Sequence, residues 1–167
     1  MDDFCPIYST EQYLFAVSGQ VIVGVWRQQA CKEGVEVFSN LCKEMRDRYA
    51  HFGLIALAEP GAAMPSSPER RSMASTLRDQ AGALVGATFI IEGSGFRAAT
   101  VRSVAIGLAM LAQQPFPFHI VASADLASSW MVDQLTAVGA PLRSVIALVA
   151  DVNRLRHAPL SAARTTG

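Results

Sequence analysis

Glu92-Gly93-Ser94-Gly95-Phe96-Arg97 joins a short apolar stretch, Leu84 to Ile91, to a longer one, Phe96 to Gln113. The first is the pattern of a buried strand and the second that of the helix that follows it. Glycines at a strand-to-helix turn permit positive φ and close approach of the backbone, and the helix start presents free N–H groups. Open α/β sheets place their binding surfaces at this position. The stretch therefore predicts an α/β fold and marks the edge where a site belongs.

Upstream, Tyr13–Val17 and Val21–Trp26 flank Ser18-Gly19-Gln20, whose Ser-Gly pair supplies hairpin turn chemistry. Val21, Val23 and Val25 alternate with Ile22, Gly24 and Trp26, so this strand is expected to be covered on both faces. From Ala30 to Tyr49 the period becomes helical, with Val35, Phe38, Leu41, Cys42, Met45 and Tyr49 at three- and four-residue steps. Leu54–Ala58 reads as a strand stopped at Glu59-Pro60-Gly61. Ser67-Pro68-Glu69 reads as a helix start with Ser67 as N-cap, running to about Gln80 before Gly82.

After the Gly-Ser-Gly turn and its helix, Pro115 and Pro117 precede a strand, Phe118–Ala122. Ser123 or Asp125 then caps a helix through Trp130 and Leu135, stopped by Gly139. Pro141–Arg156 is a last helical segment, and the Ala-, Ser- and Thr-rich end beyond His157 is expected to fray. The expected architecture is a five-stranded mixed sheet: an antiparallel opening hairpin, then parallel βα units, covered by helices, with an extra C-terminal helix. One domain is expected over residues 1–157, with a core at 11–139, an added helix at 141–156 and a tail at 158–167.

The composition excludes several function classes. The chain has 167 residues, 51% hydrophobic, enough for a single core. Fourteen basic and fourteen acidic residues cancel, so no global field draws nucleic acid or an anionic membrane. Cys5, Cys31 and Cys42 form no CxxC cluster, and Cys31 and Cys42 fall too far apart along one expected helix to bridge. An odd, unclustered count suits a reducing cytoplasm, and Met1-Asp2-Asp3 lacks the basic start of a signal peptide. No run of about 20 apolar residues is present to span a membrane.

The element order, the opening hairpin Tyr13–Trp26, and the closing strand followed by Asp125-Leu126-Ala127-Ser128-Ser129-Trp130 carry a resemblance. Over about residues 11 to 139 the chain resembles the STAS domains, the SpoIIAA-like anti-sigma-factor antagonists, and their relatives in the SpoIIAA-like/CRAL-TRIO group. The resemblance implies a bacterial-type signalling regulator that binds another protein. STAS antagonists carry a phosphorylatable serine in an Asp-Ser-type motif after the third strand. Here that place holds Glu59 to Pro68, where Ser66 and Ser67 are the hydroxyls and the motif itself is absent.

The chemical candidates divide between a functional and a plainer reading. Glu59 and Glu92 each end a strand, and on neighbouring strands paired carboxylates share a proton or bind a cation. The plainer reading makes them solvated loop residues or partners of a helix start. Gly93-Ser94-Gly95 offers an anion cradle, but it lacks GxGxxG spacing, a P-loop lysine and the GxSxG pattern; Ser94 as N-cap is the stronger account. Arg97 binds either a partner's acid or an internal carboxylate such as Glu92. His51, His119 and His157 lie away from any candidate nucleophile, and no HxxxH or CxxC spacing holds a metal. The turn after the first parallel strand, Trp26-Arg27-Gln28-Gln29, has no glycine for a dinucleotide.

The expectation is therefore a non-catalytic protein without cofactor or metal, with two surfaces for work. Trp26, Glu59, Ser66, Ser67, Glu92, Ser94, Arg97 and Ser123 mark the C-terminal strand edge, where a protein partner docks. Leu142, Val145, Val149 and Val152 mark the C-terminal helix, which packs on its own domain or forms a homodimer. The alternative is a small-molecule or lipid sensor of the CRAL-TRIO kind, holding its ligand in an apolar cavity beneath the helix Val101–Ala112. An enzyme would require His119 or His51 to reach Ser94 or Glu92.

Overall fold

The computed structural model describes residues 4–112, 116–140 and 143–159. The elements run β1 (Phe4–Ser9), β2 (Tyr13–Ser18), β3 (Val21–Trp26), α1 (Lys32–Arg48), β4 (Phe52–Ala58), α2 (Ser67–Asp79), β5 (Leu84–Ile90), α3 (Phe96–Ala112), β6 (Phe118–Val121), α4 (Ala124–Ala137) and α5 (Val145–Arg156). The six strands form one mixed sheet in sequence order. β1, β2 and β3 pair antiparallel, and β3 to β6 pair parallel.

The expected α/β class and parallel βα units are present, but the count of five strands is corrected to six among the described residues. The extra strand is β1, which pairs with β2 and takes its place at the sheet edge. Its sequence, Phe-Cys-Pro-Ile-Tyr-Ser, hides it because proline cannot donate to a ladder and is tolerated at an edge or bulge. The register indeed shifts between Pro6 and Tyr8.

Period-two alternation sends the strand residues into two cores. Tyr13, Phe15, Ile22, Trp26 and Leu54 meet α1 and α2 on one face. Leu14, Val21, Val23, Val25, Ile55 and Leu57 meet α4 and α5 on the other. β3 is buried at every position, as its two apolar faces require. A smaller cluster joins Ala98 and Ala105 of α3 to Ile91, with Phe89, Phe118 and Ile120 packed against it.

Three helix starts differ from their expected positions, and of these α5 begins at Val145, with Ser144 as its N-cap, rather than at 141. Ser66, not Ser67, occupies the N-cap of α2, and Pro68 then falls at the second helical position. Ser67 Oγ instead accepts a hydrogen bond from Arg70 Nη2 at 2.9 Å. Cys31 stands outside α1 as its N-cap, its Sγ accepting from the Gly34 N–H at 3.4 Å. Ser123 caps α4 as expected, accepting from the Leu126 N–H at 3.3 Å. Gln113, Leu142 and the tail from residue 160 lie outside the described residues.

The C-terminal helix packs on its own domain. Leu148, Val152 and Leu155 are fully buried, while Val145 and Val149 are half-buried. Burying a leucine or valine side chain contributes about 1.5–3 kcal/mol, so these three dominate the docking. A buried ion pair fixes the register. Asp151, 1% exposed, accepts from Ser18 Oγ at 2.6 Å and from Arg143 Nε at 2.8 Å.

Candidate functional site at the strand ends

Because β3 to β6 are parallel neighbours, their C-terminal ends lie along one edge of the sheet. Trp26 closes β3, Glu59 follows β4, Glu92 follows β5 and Ser123 follows β6, so the sequence candidates share that edge. They are not equally available. Trp26 is 8% exposed and belongs to the core, its ring 5.4 Å from that of Phe15 in an edge-on arrangement. Ser123 is occupied as a helix cap.

β4 and β5 are adjacent, which is the condition for Glu59 and Glu92 to act as a pair. Each meets an arginine instead. Glu59 Oε1 lies 3.7 Å from Arg27 Nε. Glu92 takes both ends of Arg156, at 2.7 and 2.9 Å. Arg27 Nη2 also donates to the Arg156 carbonyl at 2.6 Å, linking the two ion pairs through the end of α5. This arrangement replaces the proton-sharing or cation-binding reading, because each carboxylate already faces a guanidinium. Arg156 is distant in sequence, and nothing local to Glu92 signals it; Arg97 does not fill that role.

No described residue crowds the glycines of the Gly-Ser-Gly turn. Gly93 and Gly95 have φ of 85° and 96°, values that disfavour any side chain. A Cβ at either would meet nothing within 4 Å. The Ala99 N–H bonds to the Gly95 carbonyl at 3.1 Å, which makes Gly95 the residue before the first helical turn. Ser94 therefore is not the N-cap of α3, and its hydroxyl bonds to no described residue. The turn places Phe96 outward at 90% exposure, beside the exposed Arg97. Ser66 makes no capping hydrogen bond through its side chain, and Ser67 is exposed.

The histidines take other places. His51 precedes the N-terminal end of β4, opposite the edge that carries Ser94. His119 lies on β6 with its ring 5.3 Å from Trp130. His157 Nδ1 is 2.8 Å from the Asn153 carbonyl. Among the described residues, no three His, Cys, Asp or Glu side chains group closely enough to hold a metal ion. No helix among them is long and apolar enough to cross a membrane. Burial raises the Tyr13 hydroxyl above its ordinary value, with Glu33, Cys31 and Tyr8 adding to the effect. Burial alone pushes the Cys42 thiol far up.

Two concave features stand out among the described residues, and the first lies where the sensor alternative expects one, beneath the helix Val101–Ala112. An apolar cavity of about 50 Å³ lies beneath α3, between Trp26, Met73, Phe89, Val101, Val104 and Ala105. It exists because α3 turns small side chains toward the sheet, and the Met64-Pro65 loop closes one side. A shallow groove also follows β6, lined by His119, Leu126, Ser129, Trp130 and Asp133. Comparison with known protein families and with characterised proteins finds no match to the chain.

Proposed function

We propose that this chain is a non-catalytic, cytoplasmic regulatory module of STAS-like kind that binds another protein through the turn Glu92–Arg97 and the outer face of α3. One observation carries the reading: Phe96 is 90% exposed at the tip of a turn built from two positive-φ glycines. Exposing a phenylalanine forgoes roughly 1.5–3 kcal/mol of burial. A docking partner recovers that free energy. The strand order and the βα units support the STAS-like assignment, and Ser66 and Ser67 at the start of α2 are its candidates for modification.

The test is a photo-crosslinking phenylalanine analogue at position 96 in living cells, with the exposed Asn153 on α5 as control. A discrete protein adduct is expected at position 96 and none at position 153. Adducts at neither position, or equally at both, would refute the reading.

The second reading, a sensor for a small apolar molecule, draws on the cavity beneath α3. Its volume decides against it as the first choice. About 50 Å³ holds a molecule of only a few atoms, whereas ligand pockets span about 300–1,000 Å³. Native mass spectrometry of the freshly purified chain tests it. A retained ligand that leaves on organic extraction would promote the sensor above the interaction module.

A further inference from the structure

The two edges of the sheet are finished differently. β1, at one end of the strand order, carries Pro6 and a register shift, two devices that spoil an edge for a further strand. β6, at the other end, is Phe118-His119-Ile120-Val121, with no proline, lysine or carboxylate and no shift in its register. The carbonyls of Pro117 and Val121 accept from the Ala87 and Ile91 N–H groups at 3.0 and 2.9 Å. Backbone groups of successive strand residues point to alternate sides, so residues 117, 119 and 121 face β5 while Phe118 and Ile120 face outward. Pro117 thus lacks a donor only on the β5 side. Among the described residues no strand takes the outer side.

α4 runs beside this edge and leaves a groove of about 470 Å³ against it, within the range of binding sites. His119, Leu126, Ser129, Trp130 and Asp133 line it. Leu126 is 56% exposed, while Ala127 and Met131 turn into the core. Leu126 and Trp130 stand one helical turn apart, about 6 Å, and alternate side chains of an extended strand are about 6.6 Å apart. The two steps match. A helix laid in the groove would leave the outer N–H and C=O groups of β6 unpaired, whereas an extended chain pairs them.

Charge narrows the occupant further. Asp133 is exposed and meets no cation among the described residues. β6 and α4 together carry two carboxylates, Asp125 and Asp133, and no lysine or arginine. Arg156 holds Glu92 and Arg154 lies over Phe4, while Arg97 and Arg102 of α3 do not line the groove.

We propose that the groove between β6 and α4 binds an extended segment of another protein, which adds a strand to the sheet. Alternate apolar side chains of that segment rest against Leu126 and Trp130, and a lysine or arginine reaches Asp133. A second copy of this chain is the poorer match, because its own β6 brings neither cation to Asp133. This surface is separate from Phe96 and does not depend on docking there.

The test selects linear peptides of strand length, about seven residues, from a displayed random library on the immobilised full chain. The expected winners alternate apolar residues and carry lysine or arginine. Each winner is then resynthesised with a single backbone N-methyl group moved along it, and affinity is read by fluorescence anisotropy. Methylation should weaken binding at least about tenfold at alternate positions and little between them, since every second N–H of an added strand faces the sheet. Leu126→Glu should weaken the winners by a similar factor, the scale of an interface hot spot. Asp133→Lys should weaken them at about 50 mM NaCl, and the loss should shrink at about 500 mM. Both residues are exposed, so circular dichroism should match wild type. The methyl scan uses the unaltered chain and reads the pairing without either variant.

A library without winners would overturn the proposal. So would winners that lack a cation, show no alternation in the methyl scan, or ignore Leu126→Glu and Asp133→Lys alike. A dimer in light scattering that dissociates on Leu126→Glu would overturn it in favour of self-association. A missing adduct at position 96 removes the docking at α3 and leaves this groove standing, whereas failure here leaves an adduct at position 96 intact.

Discussion

Replacing Asp151 by leucine should cost about 3–5 kcal/mol, the scale for breaking a buried ion pair from one side. The structure supplies the reason. Asp151 is 1% exposed, and its Oδ2 accepts from Ser18 Oγ at 2.6 Å, Arg143 Nε at 2.8 Å and Arg143 Nη2 at 2.8 Å. Arg143 has a side-chain exposure of 15%, so removing Asp151 takes a carboxylate away from a guanidinium that is largely desolvated. Folded domains have only about 5–15 kcal/mol in hand, which makes the loss large. The assay is urea unfolding followed by circular dichroism, with Arg143→Met in the same cycle. The double variant should be more stable than Asp151→Leu alone, because two apolar chains remove the orphaned charge. Lys32→Ala, which removes an exposed pair with Glu36, should change stability by less than about 0.5 kcal/mol. An Asp151→Leu loss under about 1 kcal/mol, or a double variant as unstable as the single, would refute the assignment of the pair as the anchor of α5.

Three further outcomes are expected. Ser94→Ala should leave stability within about 0.5 kcal/mol of wild type in the same unfolding assay, because Ser94 caps nothing; a loss near 1 kcal/mol would restore the capping role. Gly86→Ala should destabilise by about 1–3 kcal/mol through overpacking, since a Cβ there would sit 2.7 Å from the Trp130 ring; a neutral melting temperature would show that Trp130 yields. Burial holds Cys42 protonated in the folded state while the unfolded thiol ionises near pH 9.0, so its contribution is complete below that pH and declines as pH rises. The decline should reach about 1.4 kcal/mol per pH unit. Denaturation at rising pH should therefore show a shallower loss for Cys42→Ala than for wild type, and equal slopes would reject the argument.

Legibility followed the range of the physical signal. Period and turn chemistry are local, so the hairpin Tyr13–Trp26, the buried strand at Leu84 and the Ser123 cap were readable from neighbouring residues. β1 was not, because Pro6 and a register shift break the alternation that marks a strand. The caps of α2 and α3 moved by one position for a related reason: Ser66 and Ser67 offer equivalent hydroxyls, and Gly95 leads into α3 without any capping side chain. At the strand ends, topology placed Glu59 and Glu92 on adjacent strands, but their partners came from elsewhere. Arg156 reaches Glu92 across 64 residues, and no composition or spacing near the turn encodes that contact. The small size of the cavity beneath α3 was not readable for the same reason, since it is the gap left between surfaces of distant segments.

The docking of α5 onto β2 and β3 has a consequence for synthesis on the ribosome. Leu14, Val21, Val23 and Val25 emerge well before Leu148, Val152 and Leu155, which help cover them. At about 5–20 residues per second, the interval from the end of β4 to the end of α5 lasts roughly 5–20 s. Until α4 and then α5 emerge, the nascent sheet shows a bare apolar face opposite the one that α1 and later α2 cover. A chain cut short before Asp151 cannot form the contact to Ser18 that registers the final helix. The nascent sheet is thus a substrate for chaperones, and premature termination would yield a sticky fragment rather than a smaller working domain.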